Sequence, residues 1–171
     1  RAVTLGDIAR LKAQAGDVAG ALALHQERIT IFETLGDVRE RAVTLGDIAR
    51  LKAQAGDVAG ALALHQERIT IFETLGDVRS RAVTLMDLAD LSFSAEDGGH
   101  VQALYLKSLA LFEQINDVEG IFAVQARLGQ LAWVQGRPQD ALRLLQAARA
   151  GFARLGFTPW VAHLDALIKQ I

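Results

Sequence analysis

Four histidines and a regular series of carboxylates are the residues of this sequence whose types could do chemistry. A zinc site needs ligands converging at about 2 Å on one ion, and a glycoside hydrolase needs two carboxylates within about 5–10 Å of each other. His25 and His65 stand at equivalent places in two copies of one forty-residue segment, and Asp7, Asp47 and Asp87 form a second series at that spacing, closed by Arg127. Helices pack with axes 8–10 Å apart, which puts equivalent positions of successive helix pairs roughly 15–20 Å from one another. That separation excludes a shared ion and a paired-acid centre. The series His25, His65, Tyr105, Leu145 accepts imidazole, phenol and isobutyl side chains, as a packing position does and a ligand position does not. His100 and His163 have no candidate partner close in sequence. The chain has no cysteine, so it holds no disulfide framework and no thiolate metal site. Glycine-rich phosphate loops, H-E-x-x-H, G-x-S-x-G and calcium-loop patterns are all absent from the sequence. The expectation is a chain that is not an enzyme, with no cofactor and no bound metal.

Composition narrows the class further. The 171 residues are 51% hydrophobic, 6% aromatic and 22% charged, with only two prolines, the profile of a helix-rich soluble protein. No apolar run approaches the roughly 18 residues of a membrane span. A net charge of −2 lacks the basic excess of a nucleic-acid binder. The expected setting is cytoplasmic, with neither nucleic acid nor membrane as partner.

The elements that position these side chains follow from a repeat. Residues 1–40 and 41–80 differ only at Glu40 against Ser80, and 81–120 and 121–160 keep the spacing while most residues change. Gly16, Gly56 and Gly136 align, as do Gly36, Gly76, Asn116 and Gly156, so a residue tolerant of positive φ recurs about every twenty positions. Such a residue ends a helix, and the aspartate after it (Asp17, Asp37, Asp57, Asp77, Asp117) caps the next. Pro138 falls at the first position of a helix, and Thr158-Pro159 reads as an N-cap followed by a first-turn proline. Nine helices are predicted. In the second repeat, Ala42, Leu45, Ile48, Ala49 and the Lys52 stem form one apolar stripe; Ala61, Leu62, His65, Ile69 and Phe72 form another, widened by Leu64, Ile71 and Leu75. A single hairpin cannot bury both stripes, whereas stacked hairpins can. Trp160, Val161, Leu164, Leu167, Ile168 and Ile171 share a face of the last helix, which reads as a cap over the stack. The organisation is therefore repeats 1–40, 41–80, 81–120 and 121–158 with a capping helix at 159–171. A piece of a longer chain is expected, because Arg1 matches Arg41, which follows the Gly-Asp that introduces its helix.

These residues resemble the tetratricopeptide repeat (TPR), in its longer variety of about forty residues. Leu45 takes the large position early in the first helix, Ile48-Ala49 the large-small pair, Gly56 the turn, and Ala61-Leu62 the small-large pair of the second helix. The fourth repeat matches best, through Leu128-Gly129, Gly136 and Ala141-Leu142. The departures are Gly-Asp in place of the family's terminal proline, and Glu96 and Val101 where glycine and alanine are expected. Asp97-Gly98-Gly99-His100 places two glycines in a first helical turn, each costing about 1 kcal/mol relative to alanine, so that helix is expected to start late or fray.

The resemblance implies an all-α, right-handed superhelical solenoid of antiparallel hairpins whose first helices line a concave face. That face maps onto the positions of Val43, Gly46, Arg50, Ala53 and Gln54. Followed from repeat to repeat, it changes from small residues with one arginine per unit (Arg10, Arg50) to Met86, Asp90, Phe93, Gln130 and Trp133. These seven are the candidate partner-binding residues, with Met86, Phe93 and Trp133 as apolar anchors for a protein or peptide segment. The implied function is a non-catalytic interaction scaffold. Two alternatives are a self-assembling structural repeat and the sensor arm of a larger bacterial signalling ATPase or regulator. Residues 81–120 carry two basic and seven acidic side chains, and 121–160 five basic and one acidic, an asymmetry that favours head-to-tail self-association. Arg137, Arg143, Arg149 and Arg154 would lie on the convex side. The near-identity of the first two repeats points to recent duplication or engineering.

Overall fold

The structure, a computed structural model, describes residues 2–93 and 98–171. The described residues form nine α-helices and no strand: α1 (Ala2–Gln14), α2 (Val18–Leu35), α3 (Val38–Gln54), α4 (Val58–Thr74), α5 (Val78–Leu91), α6 (Gly98–Gln114), α7 (Val118–Val134), α8 (Pro138–Arg154) and α9 (Thr158–Ile168). The chain divides into two compact units, Arg1–Asp77 and Val78–Ile171. In the first, α1 packs on α2, α2 on α3 and α3 on α4; in the second, each helix from α5 to α9 packs on the next.

The turns are built as their residue types require. Gly16, Gly36, Gly56, Gly76, Gly136 and Gly156 all have positive φ, between 66° and 87°, and Asn116 adopts φ 54°. At the first turn the Gly16 and Asp17 amides donate to the carbonyls of Ala13 and Lys12, which closes the end of α1. Asp17, Asp37, Asp57 and Asp117 each accept from the backbone amide three residues on, at 2.8–3.0 Å. Lys12 and Lys52 donate to the caps that follow them, Asp17 at 2.6 Å and Asp57 at 2.5 Å. That bond, with the Gly20 or Gly60 amide, holds both carboxyls below the usual carboxylate range.

Three expectations are corrected. The N-cap of α9 is Phe157, and Thr158 is already helical, because Gly156 sets the register of that turn. The helix that opens on the Gly98-Gly99 pair does not start late: α6 begins at Gly98, forty residues after the start of α4. A Cβ at residue 98 would collide with the side-chain amide of Gln135, so a glycine there accommodates a close approach by the residue that ends α7. Glu96 and Asp97 lie outside the described residues. Leu75 does not widen a core stripe, since it caps α4 and is exposed.

The remaining stripes pack as their periodicity requires. Ala42, Leu45, Ile48, Ala49, Ala61, His65, Ile69 and Phe72 are buried, and so are Thr44, Leu51 and Arg68, which the stripes did not include. Val101 is fully buried at the position where the resemblance calls for alanine. In the second unit Leu164 of α9 is buried with Leu145, Ala148 and Phe152 of α8, and Trp160, Val161, Leu167, Ile168 and Ile171 pack around them. Trp160 stacks on Phe152 with ring centroids 5.0 Å apart and planes within 8°, and Arg149 pairs with Asp165.

Candidate functional site

Each unit has a cleft lined largely by the first helices of its hairpins. In Val78–Ile171 a cleft of about 420 Å³ is lined by Asp90 of α5, Phe93 just beyond its end, Tyr105 of α6, Ala126, Arg127 and Gln130 of α7, and Trp160 and His163 of α9. A fixed polar network forms one side. The buried Tyr105 hydroxyl donates to Asp90 Oδ1 at 2.6 Å, and Arg127 Nε donates to both Asp90 oxygens at 2.8 Å. Burial, then the bond to Asp90, pushes the Tyr105 phenol far above its ordinary range, so it stays a donor. Arg127 Nη1 also reaches the Ala123 carbonyl at 3.4 Å. Phe93, 38% exposed, and Trp160 supply apolar wall.

The cleft of Arg1–Asp77 is larger, about 630 Å³, and richer in charged groups. Arg10 and Arg50 line it together with Asp7, Asp47, His25 and Arg28. Arg10 donates to Asp7 at 3.4 Å and Arg50 to Asp47 at 3.0 Å, each pair one helical turn apart on an exposed surface, where such bridges contribute little. Arg28 is different because it is buried. Its Nη1 donates to Asp47 Oδ2 and to His25 Nδ1, both at 3.1 Å, which requires a neutral imidazole protonated at Nε2. Burial lowers the His25 pKa in the same sense.

Beneath this surface, the series Gly6, Gly46, Met86, Ala126 is not the smooth groove floor that its small residues imply. Gly46 is buried, and a Cβ there would stand 2.6 Å from Arg68 Cζ; at Gly6 the distance to Arg28 Cζ is 3.0 Å. The glycines make room for arginines from the second helix. Arg68 Nε donates to the Ala42 carbonyl at 3.1 Å, and one repeat later Ser108 Oγ donates to the equivalent Ala82 carbonyl at 2.8 Å. The two series therefore change together: glycine with arginine, Met86 with Ser108, Ala126 with Ala148.

The seven sequence-derived candidates fall into three places. Arg10 and Arg50 line the first cleft, and Asp90, Phe93 and Gln130 line the second. Met86 and Trp133 line neither; Met86 is half-buried, and Trp133 is 41% exposed. Sequence reasoning missed Arg127, Tyr105 and Trp160. The available signal was a charge exchange: arginine appears in the aspartate series at 127, where aspartate has entered the arginine series at 90. The same pairing absorbs part of the charge asymmetry between residues 81–120 and 121–160. Among the described residues no group of three or more histidines and carboxylates could hold a metal ion.

No protein-family model matches the sequence, and no curated protein matches it. Solved structures do. A kinesin-light-chain protein of Podosopora anserina with nearly identical TPR-like repeats superposes with a TM-score of 0.70 at 20% identity, covering 98% of this chain and 86% of that one. This is the TPR-like repeat fold. A point variant of that protein gives a TM-score of 0.72 at 21% identity over the same shares of the two chains. BtubC (BKLC) from P. vanneervenii gives 0.72 at 16% identity, covering 97% of this chain and 77% of that one. In TPR-like terms, α1, α3, α5 and α7 are first helices, and each cleft is lined chiefly by first helices of its own unit, with Tyr105 or His25 and Arg28 reaching in from a second helix and Trp160 and His163 from α9.

Proposed function

We propose that the chain is a non-catalytic scaffold that binds a protein or peptide segment on its first helices, with the cleft of Val78–Ile171 as the anchor point. The observation that carries this reading is a preorganised site: Phe93 and Trp160 offer apolar surface beside an Asp90–Arg127–Tyr105 network whose members already hold one another in place. An apolar side chain of the partner enters between the aromatic residues, and the Gln130 amide and outer Arg127 N–H groups take its backbone carbonyls. Ordered donors of this kind lose little entropy on binding. The cleft of Arg1–Asp77, with Arg10 and Arg50 one repeat apart, offers weak, salt-sensitive contacts of its own. The same reading places the scaffold in the cytoplasm. No helix among the described residues is long and apolar enough to cross a membrane, and the net charge of −2 lacks the overall basic excess of a nucleic-acid binder.

Selection of random peptides on the intact chain tests this. The recovered peptides should share an apolar anchor. Phe93→Ala or Arg127→Ala should weaken them by more than about tenfold, the equivalent of 1.4 kcal/mol, while Trp133→Ala, outside the cleft, changes affinity less. Circular dichroism checks that each variant keeps its fold. Peptides that bind every folded variant unchanged would remove the cleft from the mechanism.

A further inference from the structure

We propose that His25 and Arg28 form a proton-operated latch in Arg1–Asp77: a neutral imidazole closes it, and proton uptake at His25 opens it, loosening α2 from α3 and leaving Val78–Ile171 intact. Both side chains are buried. Arg28 Nη1 links the two helices, since it donates to His25 Nδ1 within α2 and to Asp47 Oδ2 of α3, both at 3.1 Å. Arg28 Nε is buried as well and has no partner among the described residues, so His25 and Asp47 are the polar anchors of this guanidinium. A protonated imidazole carries hydrogen on both nitrogens and accepts at neither. Proton uptake therefore ends the bond between His25 and Arg28 and sets two cations against each other in a buried site.

The charges around His25 decide how the latch stands. Arg28 faces it from α2, Asp47, Arg50 and Glu40 belong to α3, and Asp7 and Arg10 of α1 line the same cleft. Burial lowers the His25 pKa; Asp47 opposes that shift, and Arg28 and Arg50 reinforce it. Asp47 is already paired with Arg28, so an imidazolium gains it only by displacing the guanidinium, which is the open state. The fold thus favours the neutral ring. Its stabilising contribution is complete above about 6.5, the ordinary imidazole value, and is lost as pH falls from there toward the lower folded value. The second unit lacks the device. Tyr105 and Ser108 stand where the first repeat has His25 and Arg28, the Tyr105 hydroxyl donates to Asp90 instead of accepting, and the histidines of that unit, His100 and His163, are exposed.

Hydrogen exchange of the full chain tests the latch, with each rate divided by that of the unstructured chain at the same pH. His65→Asn serves as background, because His65 makes a bond of the same kind to Arg68 at 3.0 Å, and asparagine keeps a side-chain acceptor that does not titrate. Each pH unit over which only the unfolded imidazole takes up a proton changes the opening equilibrium about tenfold. Between pH 7.5 and 5.0 the α2 and α3 amides should therefore lose protection at least about tenfold through local opening, and those of α7 and α8 less than about twofold. Adding His25→Asn should hold the α2 and α3 loss below about twofold as well. Imidazole carbon and proton spectra of the unaltered chain give a readout free of any substitution: the His25 ring should stay neutral and protonated at Nε2 until that protection falls. Unchanged protection of α2 and α3 at pH 5.0 overturns the proposal. So does a loss that survives His25→Asn, a loss equal in the two units, or a His25 ring that takes up its proton while α2 and α3 keep their protection.

Discussion

The buried arginine beneath α3 makes Gly46→Ala an informative substitution. In an ordinary helix interior, alanine for glycine is stabilising by about 1 kcal/mol. Here the new Cβ would stand 2.6 Å from Arg68 Cζ, 2.9 Å from Nη2 and 3.0 Å from Nε, against about 3.5–4.0 Å for an unstrained contact. Arg68 must therefore withdraw by about 1 Å, which removes its Nε bond to the Ala42 carbonyl and disturbs its Nη1 bond to His65. A hydrogen bond from a charged group contributes about 1.5–3 kcal/mol, so the net expectation is a loss of about 1 kcal/mol. Gly6 supplies the control. Its Cβ would lie 3.0 Å from Arg28 Cζ on a half-buried surface, a smaller adjustment, and Gly6→Ala should be neutral or stabilising by up to about 1 kcal/mol. Arg68→Ala closes a mutant cycle, because Gly46→Ala with Arg68→Ala recreates the pair found at Ala126 and Ala148. Without the guanidinium, Gly46→Ala should become stabilising by its helix propensity, giving a coupling of about 2 kcal/mol between the two sites. Urea unfolding followed by far-ultraviolet circular dichroism measures each corner. A stabilising Gly46→Ala in the parent chain, or additivity of the two changes within about 0.5 kcal/mol, would refute the argument.

Two further outcomes follow from the second unit. The phenol of Tyr105, the only tyrosine of the chain, is raised by burial and by its bond to Asp90. Its stabilising contribution is thus complete below the unfolded value of about 10 and falls as pH rises toward the folded value. Phenolate absorbance should appear only together with unfolding; a titration step near 10 in the folded chain would contradict the buried bond. Asp117 accepts from the Gly120 amide at 3.0 Å and from Arg79 Nε at 2.8 Å, so Asp117→Ala should cost about 1–2 kcal/mol in chemical denaturation, and an unchanged midpoint would show that the cap is dispensable.

What could be read from the sequence was whatever acts within one turn or one helix. A left-handed residue is chiefly glycine or asparagine, and an aspartate cap or, at Gly136, a first-turn proline follows it, so the turns at Gly16, Gly36, Gly56, Asn116 and Gly136 were legible from residue type and register together. Thr158 shows the limit of type alone. It has the chemistry of a cap, but Gly156 places the cap position at Phe157. Arg68 and Arg127 were illegible for a different reason: each is explained by a residue on another helix, Gly46 for the first and Asp90 for the second. Such pairs leave a trace only where repeats have diverged and two positions have changed together. Repeats 1–40 and 41–80 are too alike to carry that trace, whereas Met86 with Ser108, Ala126 with Ala148, and Asp90 with Arg127 do carry it. The identity that hides compensation in the first two repeats serves the opposite purpose in the structure. It holds sequence constant between α1 and α3, so the exposure of Leu11, 59% against 6% for Leu51, measures the neighbouring helix alone.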